Sequence, residues 1–588
     1  QLIIDWGYCV KPFFDPVVRA TKLATALNQD LVNPVTDVGE ARYSDFSRRY
    51  QYESTLKKVE DPKASELLHK STLDDFLVRN RNLFAVNRLI AYQRDFDDYS
   101  IPGYVLRRAR ALIAWALRSI STDEIFYACR HSHGVTQGVP FVDTSLNRKS
   151  SFPWTATQGA SILLKAYDRY DSTYRDACFQ ASKGIKSLSR FKIIDGSRAT
   201  TVPKTVDKRR MIAVEPTGNM FLQQGLMAVM YSRLESIGLD VKTLPDRHRN
   251  LAFWGSVSGS SATIDLKNAS DSVSLELVRK LFPPDWFWWL RSTRSPSMNI
   301  MGRWVKVESY ATMGNATTFP VETIVFWAIA VSCNMLHRCR KDYGYQPPRL
   351  TSILSHPCDR ESVSVFGDDL ILPTVAAKHL MYVLEQIGFE VNHLKSFWCE
   401  GLSFRESCGG DFFHGRAVRP WFIRGPTTTS KIGLEAWLYV LCNTLCKKYI
   451  SYFGELTYIY EKRAFELIFM WLRSVTPLIK VVPSSFPDDS GLKGLEGLRL
   501  ARAYLPDDFI SQIGVSEQGW HSFRYLRYRY KSVSKIHEAL AYAVWVKNHA
   551  TGARRSRKWF DYIPLEQTDT LVSPVRKKGE YIVARGTA

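Results

Sequence analysis

Two adjacent carboxylates stand out in the stretch Val363–Pro373, where Gly367, Asp368 and Asp369 lie between two short apolar runs. The first run alternates and is rich in Val, and the second ends at a proline, so both suit short strands. A glycine-containing connection between such runs predicts a β-hairpin with both acids at its tip. Adjacent carboxylates repel each other unless a cation lies beside them, and their oxygens suit Mg²⁺ or Mn²⁺. These are the groups that two-metal phosphoryl transfer requires, although an ordinary solvated turn is the alternative for the tripeptide alone.

A third acid follows a short apolar stretch about a hundred residues earlier. In Ser261–Asp271 a predicted strand ends at Asp265, and Ser270 or Asp271 suits the N-cap of an amphipathic helix that runs to Pro283. Capping would explain Asp271, whereas no local role explains Asp265, which makes Asp265 the better site candidate. The spacing is compatible with Asp265 and the hairpin acids on two strands of one antiparallel sheet.

Basic residues are concentrated in Thr201–Pro216, which is typical of a strand, a basic turn and a second strand. Four cations occur within seven residues: Lys204, Lys208, Arg209 and Arg210. On a hairpin they would project together and could bind a triphosphate through charge-assisted hydrogen bonds. An ordinary basic turn is the alternative.

A loop of small residues, Thr312–Pro320, precedes a predicted apolar helix over Val321–Leu336. Its Gly314 and Asn315 would let the backbone approach a ligand closely, and plain helix entry is the alternative. Lys395 lies in a β-rich stretch just after the hairpin and the helix that follows it.

Near the C-terminus, the alternation of a strand places Tyr528 and Tyr530 on one face and three cations on the other: Arg527, Arg529 and Lys531. Cations bind phosphates and tyrosines stack or pack, so this segment could contact RNA. A solvated face over a tyrosine core is the alternative.

Length and composition indicate a large globular protein with a polyanionic partner. A chain of 588 residues predicts several subdomains, and 45% hydrophobic content can form a sizeable core. The 79 Lys and Arg against 58 Asp and Glu give a net charge of +21. That charge favours nucleic acid or an anionic membrane surface, with a generally basic enzyme as the alternative.

Other features favour a reducing cytosol. The first residues lack the pattern of a secretory signal, and the apolar run Thr323–Leu336 is too short to span a bilayer. Ten cysteines form no Cys-x-x-Cys pair, and Cys442 and Cys446, one helical turn apart, are predicted to be buried thiols.

Apolar periodicity predicts a mostly helical N-terminal region, with helices over Ala20–Leu27, Ala64–Val78 and Tyr104–Ile120. The stretch Gly425–Ser430 is the clearest boundary. The predicted division is residues 1–200, 201–425 and 426–588.

The order of these motifs resembles the motif series of right-hand polymerases: a basic hairpin, a strand with Asp265, a Gly-Asn loop, a Gly-Asp-Asp hairpin and a lysine. It is most similar to the RNA replicase catalytic subunit of small single-stranded RNA bacteriophages, the Qβ-like leviviruses. The similarity lies between residues 200 and 425, in the motifs Thr201-Val202-Pro203-Lys204, Ala262-Thr263-Ile264-Asp265-Leu266, Ala269-Ser270-Asp271-Ser272, Pro283-Pro284, Met313-Gly314-Asn315, Phe366-Gly367-Asp368-Asp369 and Phe404-Arg405-Glu406-Ser407-Cys408-Gly409. The chain departs from the family pattern at Lys267-Asn268, Ala316, Pro320 and a longer Gln346–Ser362 segment, none of which removes a predicted metal-binding acid.

The resemblance implies an α+β right-hand polymerase with an antiparallel palm sheet flanked by helices. Residues 1–200 would form the N-terminal region and fingers, 201–425 the palm with part of the fingers, and 426–588 the thumb and a basic C-terminal region. The implied activity is RNA-dependent RNA synthesis that replicates a phage genome in the cytoplasm of an infected bacterium. Asp265, Asp368 and Asp369 would hold two Mg²⁺ ions, with Mn²⁺ as a substitute.

The remaining implied roles concern the nucleotide and the partners. Lys204 and Arg210 would hold the triphosphate with Lys208 and Arg209 beside them, and Lys395 would donate a proton to pyrophosphate. Asp271 and Asn315 would recognise the ribose 2′-hydroxyl, and Gly314 would belong to the same nucleotide-binding site. The implied partners are RNA template and product, NTPs, host elongation factors Tu and Ts and a host RNA-binding ribosomal protein, with no membrane.

Two other functions fit part of the sequence. A reverse transcriptase shares the metal-binding acids but usually has a bulky side chain at the position of Asp271. A non-catalytic RNA-binding protein would explain the charge of +21 and the Arg/Tyr strand. It would not explain three carboxylates in the order found in polymerases.

Overall fold

The computed structural model describes residues 43–58, 65–182, 190–342, 361–426, 430–447 and 458–493, with short segments between 514 and 587 and without positions 94, 98, 133, 141–142, 400 and 402. Helices and strands of mixed order make up this part of the chain. The predicted helix Ala20–Leu27 and most of Gln346–Ser362 lie outside the described residues.

The N-terminal part is mainly helical, as predicted. Helix α3 begins earlier than the pattern indicated because the Ser100 hydroxyl accepts a hydrogen bond from the Gly103 amide and caps the helix. The elements of this part are α1 (Tyr43–Thr55), α2 (Ser65–Tyr92), α3 (Ile101–Leu117), α4 (Thr122–Ala128), α5 (Leu146–Ser150), β1 (Trp154–Ala156), α6 (Gln158–Tyr170), α7 (Ser172–Ala181) and β2 (Phe191–Ile193).

A four-stranded sheet of order β4-β3-β7-β8 contains the basic hairpin. The hairpin is confirmed: β3 (Gly196–Thr205) and β4 (Lys208–Val214) are antiparallel around a short turn. The pairing shifts between Pro203 and Thr205, so Lys204 lies at a β-bulge. The sheet is completed by β7 (Ser297–Ile300) and β8 (Arg303–Lys306), and helices α8 (Thr217–Ser236) and α9 (Leu244–Ser258) follow the hairpin.

A three-stranded antiparallel sheet of order β5-β10-β9, called the central sheet below, contributes apolar side chains to the largest core cluster of the described residues. Its strands are β5 (Ser261–Ile264), β9 (Ser364–Phe366) and β10 (Asp369–Pro373). Between β5 and β9 the chain forms β6 (Leu266–Lys267), α10 (Ala269–Ser272), α11 (Leu275–Leu281), α12 (Pro284–Thr293) and α13 (Thr318–Asp342).

Helix α13 packs against β9 and β10 and runs longer than the predicted apolar helix. By length and composition its Thr318–His337 stretch could cross a membrane, but 89% of that window is buried inside the protein. Its apolar side chains therefore serve as core, and the largest core cluster gathers around this helix.

The rest of the described chain comprises α14 (Thr374–Gln386), β11 (Glu390–Val391), β12 (Phe404–Ser407), β13 (Gly410–Phe413), β14 (Arg416–Ala417), α15 (Lys431–Leu445), α16 (Tyr458–Val475), β15 (Val481–Val482), β16 (Leu492–Lys493), β17 (Gly514–Val515), β18 (His521–Arg529), β19 (Val533–Lys535), α17 (Glu538–His549), β20 (Pro564–Leu565), β21 (Thr568–Pro574) and β22 (Glu580–Thr587). Helices α15 and α16 form a second core, in which Cys442 and Cys446 are buried as predicted. The division of the chain at residues 200 and 425 stays a prediction.

Candidate active site

The Gly-Asp-Asp stretch forms the predicted hairpin. Phe366 pairs with Asp369, which leaves Gly367 and Asp368 as the turn residues. Gly367 has a φ of +63°, and a Cβ there would lie 2.7 Å from the Phe319 ring, so the turn requires glycine. The Gly367 amide donates a hydrogen bond to the Thr323 hydroxyl on α13 at 3.0 Å. The turn is thus held on the buried helix, with the Asp368 side chain exposed.

Asp265 lies at the same end of the central sheet as the hairpin acids. Ile264 on β5 pairs with Leu370 on β10, and continuing this antiparallel register by one residue sets Asp265 opposite Asp369. The Asp265 carboxylate accepts a hydrogen bond from the Asn392 side-chain amide at 2.6 Å, and the Asn392 backbone amide donates to the Asp265 carbonyl at 2.9 Å. Asn392 was not among the predicted site residues, because only the fold brings it to β5.

Burial and the charge of Asp368 raise the pKa values of Asp265 and Asp369. Burial raises the pKa of Asp265, and the Asp368 charge adds to this, while the Asn392 hydrogen bond opposes it. Burial raises the pKa of Asp369 to about 6, again with the Asp368 charge adding to it. Among the described residues, no group of three or more His, Cys, Asp or Glu side chains is already arranged as a metal site. The largely buried carboxylates of Asp265 and Asp369, together with the exposed Asp368 carboxylate that repels them, still fit a hard divalent cation.

A further acid and a cysteine border this site. Burial, with the charge of Asp411, raises the pKa of Glu406 on β12 to about 7, and the Asp265 and Asp369 charges act in the same direction. The Asp369 carboxylate accepts hydrogen bonds from the Cys408 amide at 3.3 Å and from its thiol at 3.5 Å. Glu406 belongs to a motif of the resemblance but has the local pattern of an ordinary strand residue, so its place beside the acids could not be derived from the sequence.

Lys204, Arg210 and Lys395 lie in the electrostatic field of the acids. Burial lowers the pKa of Lys204, as do the charges of Arg210 and Lys395, whereas Asp368 and Asp265 oppose the shift. Lys395 is exposed, and its charge lowers the pKa of Asp265. The bulge at Lys204 therefore brings this cation within electrostatic range of both carboxylate-bearing strands.

The expectation that all four hairpin cations project together is wrong for Arg209. Its guanidinium donates hydrogen bonds to the Thr201 hydroxyl at 2.8 Å and to the Ser65 hydroxyl on α2 at 2.9 Å. Strand alternation places Arg209 on the opposite face from Lys208 and Arg210, which are exposed. Arg209 thus joins the hairpin to α2.

Asp271 does not cap the amphipathic helix, contrary to the local alternative. The cap of α11 is Ser274, whose hydroxyl accepts a hydrogen bond from the Leu277 amide at 3.1 Å. Asp271 lies instead in the short helix α10, with its carboxylate 3.8 Å from the Arg79 guanidinium. Burial raises the pKa of Asp271 to about 6, while Arg79 and a hydrogen bond from the Met313 amide oppose the shift.

The loop that contains Gly314 and Asn315 is rigidly built. Gly314 has a φ of +111°, and a Cβ at this position would overlap the Ala213 carbonyl oxygen. The buried Asn315 side-chain oxygen accepts hydrogen bonds from the Thr317 amide at 2.9 Å and hydroxyl at 2.7 Å. Its side-chain nitrogen has no hydrogen bond within 3.5 Å among the described residues. Burial raises the pKa of the nearby Glu215, and the Asn315 side chain is close enough to oppose this shift slightly.

A buried carboxyl group, Glu322 on α13, lies within electrostatic range of Asp368 and Asp271. It accepts a hydrogen bond from the Ser270 hydroxyl at 3.0 Å. Burial, then the charge of Asp368, raises the pKa of Glu322 well above its usual range. Burial and the nearby Asp368 charge therefore both disfavour the ionised form of Glu322.

A groove of about 1060 Å³ opens beside the basic hairpin. One wall is formed by Ser132 and residues 134–140, and the other includes Arg198, Thr200 and the loop residues Gly314 and Ala316. The groove is open and reaches from the sheet to the Gly-Asn loop.

The C-terminal cations lie in a part of the chain that the structure describes incompletely. Arg527 is exposed on β18. Arg529 is the last residue of that strand, its side chain is not described, and Lys531 lies outside the described residues. Their role stays a prediction.

The sequence matches the family model of the RNA replicase beta-chain over residues 16–345 and 348–482. This match covers well over half of the chain, which therefore belongs to the RNA replicase beta-chain family.

Named relatives come from single-stranded RNA phages. The chain is 36% identical over 338 residues to the RNA-directed RNA polymerase subunit beta of Enterobacteria phage SP, covering 56% of this chain and 53% of that one. It is 33% identical to the RNA-directed RNA polymerase beta chain of Escherichia phage MS2 over 352 residues, 59% of this chain and 57% of that one. The subunit beta of Escherichia virus Qbeta is 33% identical over 346 residues, 57% of this chain and 51% of that one. The chain thus spans about half the length of these relatives.

A solved structure of the BmCPV RNA-dependent RNA polymerase at elongation state aligns with 65% of this chain and 34% of its own, at 13% identity and a TM-score of 0.33. A TM-score of this size does not establish a shared fold.

Proposed function

We propose that this protein synthesises RNA on an RNA template, as the polymerase that replicates a single-stranded RNA phage genome in the cytoplasm of an infected bacterium. The observation that supports this most is that three carboxylates lie at one end of the sheet, one directly after β5 and two in the β9–β10 hairpin. Electrostatic effects link these acids to Lys204 of the basic hairpin, in a chain of the replicase family. The proposed architecture is a right-hand polymerase in which the central antiparallel sheet is the palm.

Asp265, Asp368 and Asp369 would hold two Mg²⁺ ions, or Mn²⁺ in their place. When bound, the ions would supply charge neutralisation for the triphosphate and activation of the attacking 3′-hydroxyl. The residues around the acids prepare them for this role. Asn392 fixes the orientation of Asp265, and Cys408 does the same for Asp369 through two hydrogen bonds.

The basic residues would hold the nucleotide. Lys204 and Arg210 would bind the triphosphate by charge-assisted hydrogen bonds, with Lys208 at the edge of the hairpin. Arg209 would act indirectly, because its hydrogen bonds join the hairpin to α2. Lys395 would donate a proton to the departing pyrophosphate, since it is exposed and lies within electrostatic range of Asp265.

The ribose would be recognised by Asp271 and Asn315. A site that hydrogen-bonds a substrate hydroxyl discriminates strongly against the analogue that lacks it, because its polar groups are then left unpaired. Gly314 lets the loop backbone pass directly beside β4. A reverse transcriptase usually has a bulky side chain at the position of Asp271, so the carboxylate here disfavours that alternative.

The RNA template would lie in the groove beside the basic hairpin, where Arg198 is exposed. We also propose, on the family resemblance alone, that host elongation factors Tu and Ts and a host RNA-binding ribosomal protein assemble with the chain.

The direct test is incorporation of labelled NTPs on an RNA template with Mg²⁺, with and without host lysate. We expect Asp368→Asn to reduce incorporation by about 10²–10³-fold or more while RNA binding persists. Asp123→Asn, at an exposed acid on α4, is the matched control and should retain wild-type activity. Equal incorporation by wild type and Asp368→Asn would contradict the proposed role of the hairpin. RNA binding without incorporation, even with lysate, would favour a non-catalytic RNA-binding protein.

A further inference from the structure

Arg79 lies on the packing face of helix α2, where a charged side chain needs a partner. It follows the buried Phe76 by three residues and precedes the buried Leu83 by four, so all three share one face of the helix. An arginine is rarely found on such a face unless it is paired. The partner here is Asp271 of the proposed ribose site, at 3.8 Å from a guanidinium nitrogen.

Both members of this pair are under-satisfied. The Arg79 side chain is 28% exposed and that of Asp271 is 12% exposed. Within the part of the chain that the structure describes, Arg79 Nε and Asp271 Oδ1 are buried and have no hydrogen-bond partner. Unpaired polar atoms of this kind are costly, and they occur where a ligand or a small movement completes the hydrogen bonding.

Helix α2 is fixed to the elements on both sides of Asp271. At its N-terminal end, a His69 ring nitrogen lies 2.7 Å from the Thr201 hydroxyl of the basic hairpin. Further along, the Asn80 side chain donates to the Lys306 carbonyl and accepts from the Glu308 amide, both at 2.9 Å. Asn87 accepts a hydrogen bond from the Glu276 amide of α11 at 3.0 Å. Arg79 is therefore presented from a rigid support.

We propose that Arg79 is a positioning residue for ribose selection: its guanidinium holds the Asp271 carboxylate against the Met313–Asn315 loop, ready to accept a hydrogen bond from a 2′-hydroxyl. This inference rests on the proposed function, in which Asp271 contacts the ribose. It adds a residue of the N-terminal helical region to a site whose other members come from the central part of the chain. The opposing effect of Arg79 on the raised pKa of Asp271 is consistent with it.

The test compares the affinities for GTP and 2′-dGTP, measured by equilibrium titration of the full chain, in wild type, Arg79→Gln and Arg79→Lys. We expect Arg79→Gln to reduce the GTP preference by about tenfold, through weaker GTP binding with dGTP binding nearly unchanged. Lysine keeps the charge but lacks the planar fork, so Arg79→Lys should lose about threefold. Arg81→Gln, an exposed arginine on the same helix, should match the wild type.

A double-mutant cycle with Asp271→Asn separates positioning from general stability. If Arg79 acts through Asp271, Arg79→Gln should change the nucleotide preference no further in the Asp271→Asn background. An unchanged preference in Arg79→Gln, or equal weakening of both nucleotides, would overturn the inference. If Arg79→Gln fails to fold, an unchanged preference in folded Arg79→Lys would overturn it equally.

The binding titration does not depend on catalysis. If the wild type binds GTP more tightly than dGTP but incorporates no nucleotide, that result counts against RNA synthesis. The Arg79 inference is then decided by the nucleotide preferences of the Arg79 variants. A wild type that binds GTP and dGTP equally would overturn the Arg79 inference whether or not it polymerises.

Discussion

At the scale of single residues, the site concentrates carboxyl groups whose ionisation is unfavourable. Burial raises the pKa values of Asp369 and Asp271 to about 6 and that of Glu406 to about 7. In each case the folded protein binds protons more tightly than the unfolded chain does, because unfolding exposes the acid to water. These three groups therefore make the folded state less stable as the pH rises from about 4 to about 7.

This electrostatic cost predicts how Mg²⁺ affects stability. We expect added Mg²⁺ to raise the melting temperature more at pH 7.5 than at pH 5, because at the lower pH protons compete with the ion for the carboxylates. Asp368→Asn should raise the melting temperature of the metal-free protein by about 1–2 °C and should greatly reduce the Mg²⁺ effect. Differential scanning fluorimetry of the variant and of the Asp123→Asn control measures both. A larger Mg²⁺ effect at pH 5 would contradict this assignment.

At the scale of elements, the sequence predicted local structure well wherever turn chemistry determines it. The basic hairpin, the strand before Asp265 and the Gly-Asp-Asp turn follow from alternation, β-rich runs and glycine. The predicted cap was Ser270 or Asp271, but the helix is capped by Ser274. Several acceptable capping residues precede this helix, so the local pattern did not determine where it begins. The contacts of Arg209, Asn392 and Glu322 depend on distant elements, so no local pattern could have revealed them.

The Gly-Asn loop supports a prediction at this scale. Gly314→Ala should destabilise the loop by about 1–3 kcal/mol, because its φ of +111° disfavours a side chain and the Cβ would overlap the Ala213 carbonyl. Gly238→Ala is a matched control, since Gly238 has a φ of +85° but open space around its Cβ position. GTP titrations and thermal melts of both variants separate the effect of the contact with the Ala213 carbonyl from the effect of backbone strain at a positive φ. Equal effects of the two substitutions would show that the close approach to β4 is unimportant.

At the scale of the whole molecule, the net positive charge and the open groove beside the basic hairpin both favour binding of a polyanion. The net charge of +21 favours a polyanion, and the groove of about 1060 Å³ presents Arg198 next to the Gly-Asn loop. Family membership could be anticipated from motif order, which survives sequence divergence. The residues that line the groove could not be predicted, because residues 134–140 come to the sheet only in the folded chain.

This placement predicts the salt dependence of RNA binding. Arg198→Gln should weaken binding to any RNA sequence and reduce the slope of log K against log salt by about 0.7–0.9, the value of one phosphate contact. Arg169→Gln, an exposed arginine of α6, should leave the slope unchanged. Filter-binding assays between low and moderate salt measure the slopes. The same slope for wild type and Arg198→Gln would exclude a phosphate contact in the groove.

The most direct test of the central claim uses Asp265, because this acid directly follows β5 and does not belong to the hairpin. Single-turnover incorporation of NTPs on an RNA template should fall by about 10²–10³-fold or more in Asp265→Asn, with RNA binding retained. That result would support one catalytic centre built from two strands. Wild-type incorporation by a folded Asp265→Asn protein would contradict it.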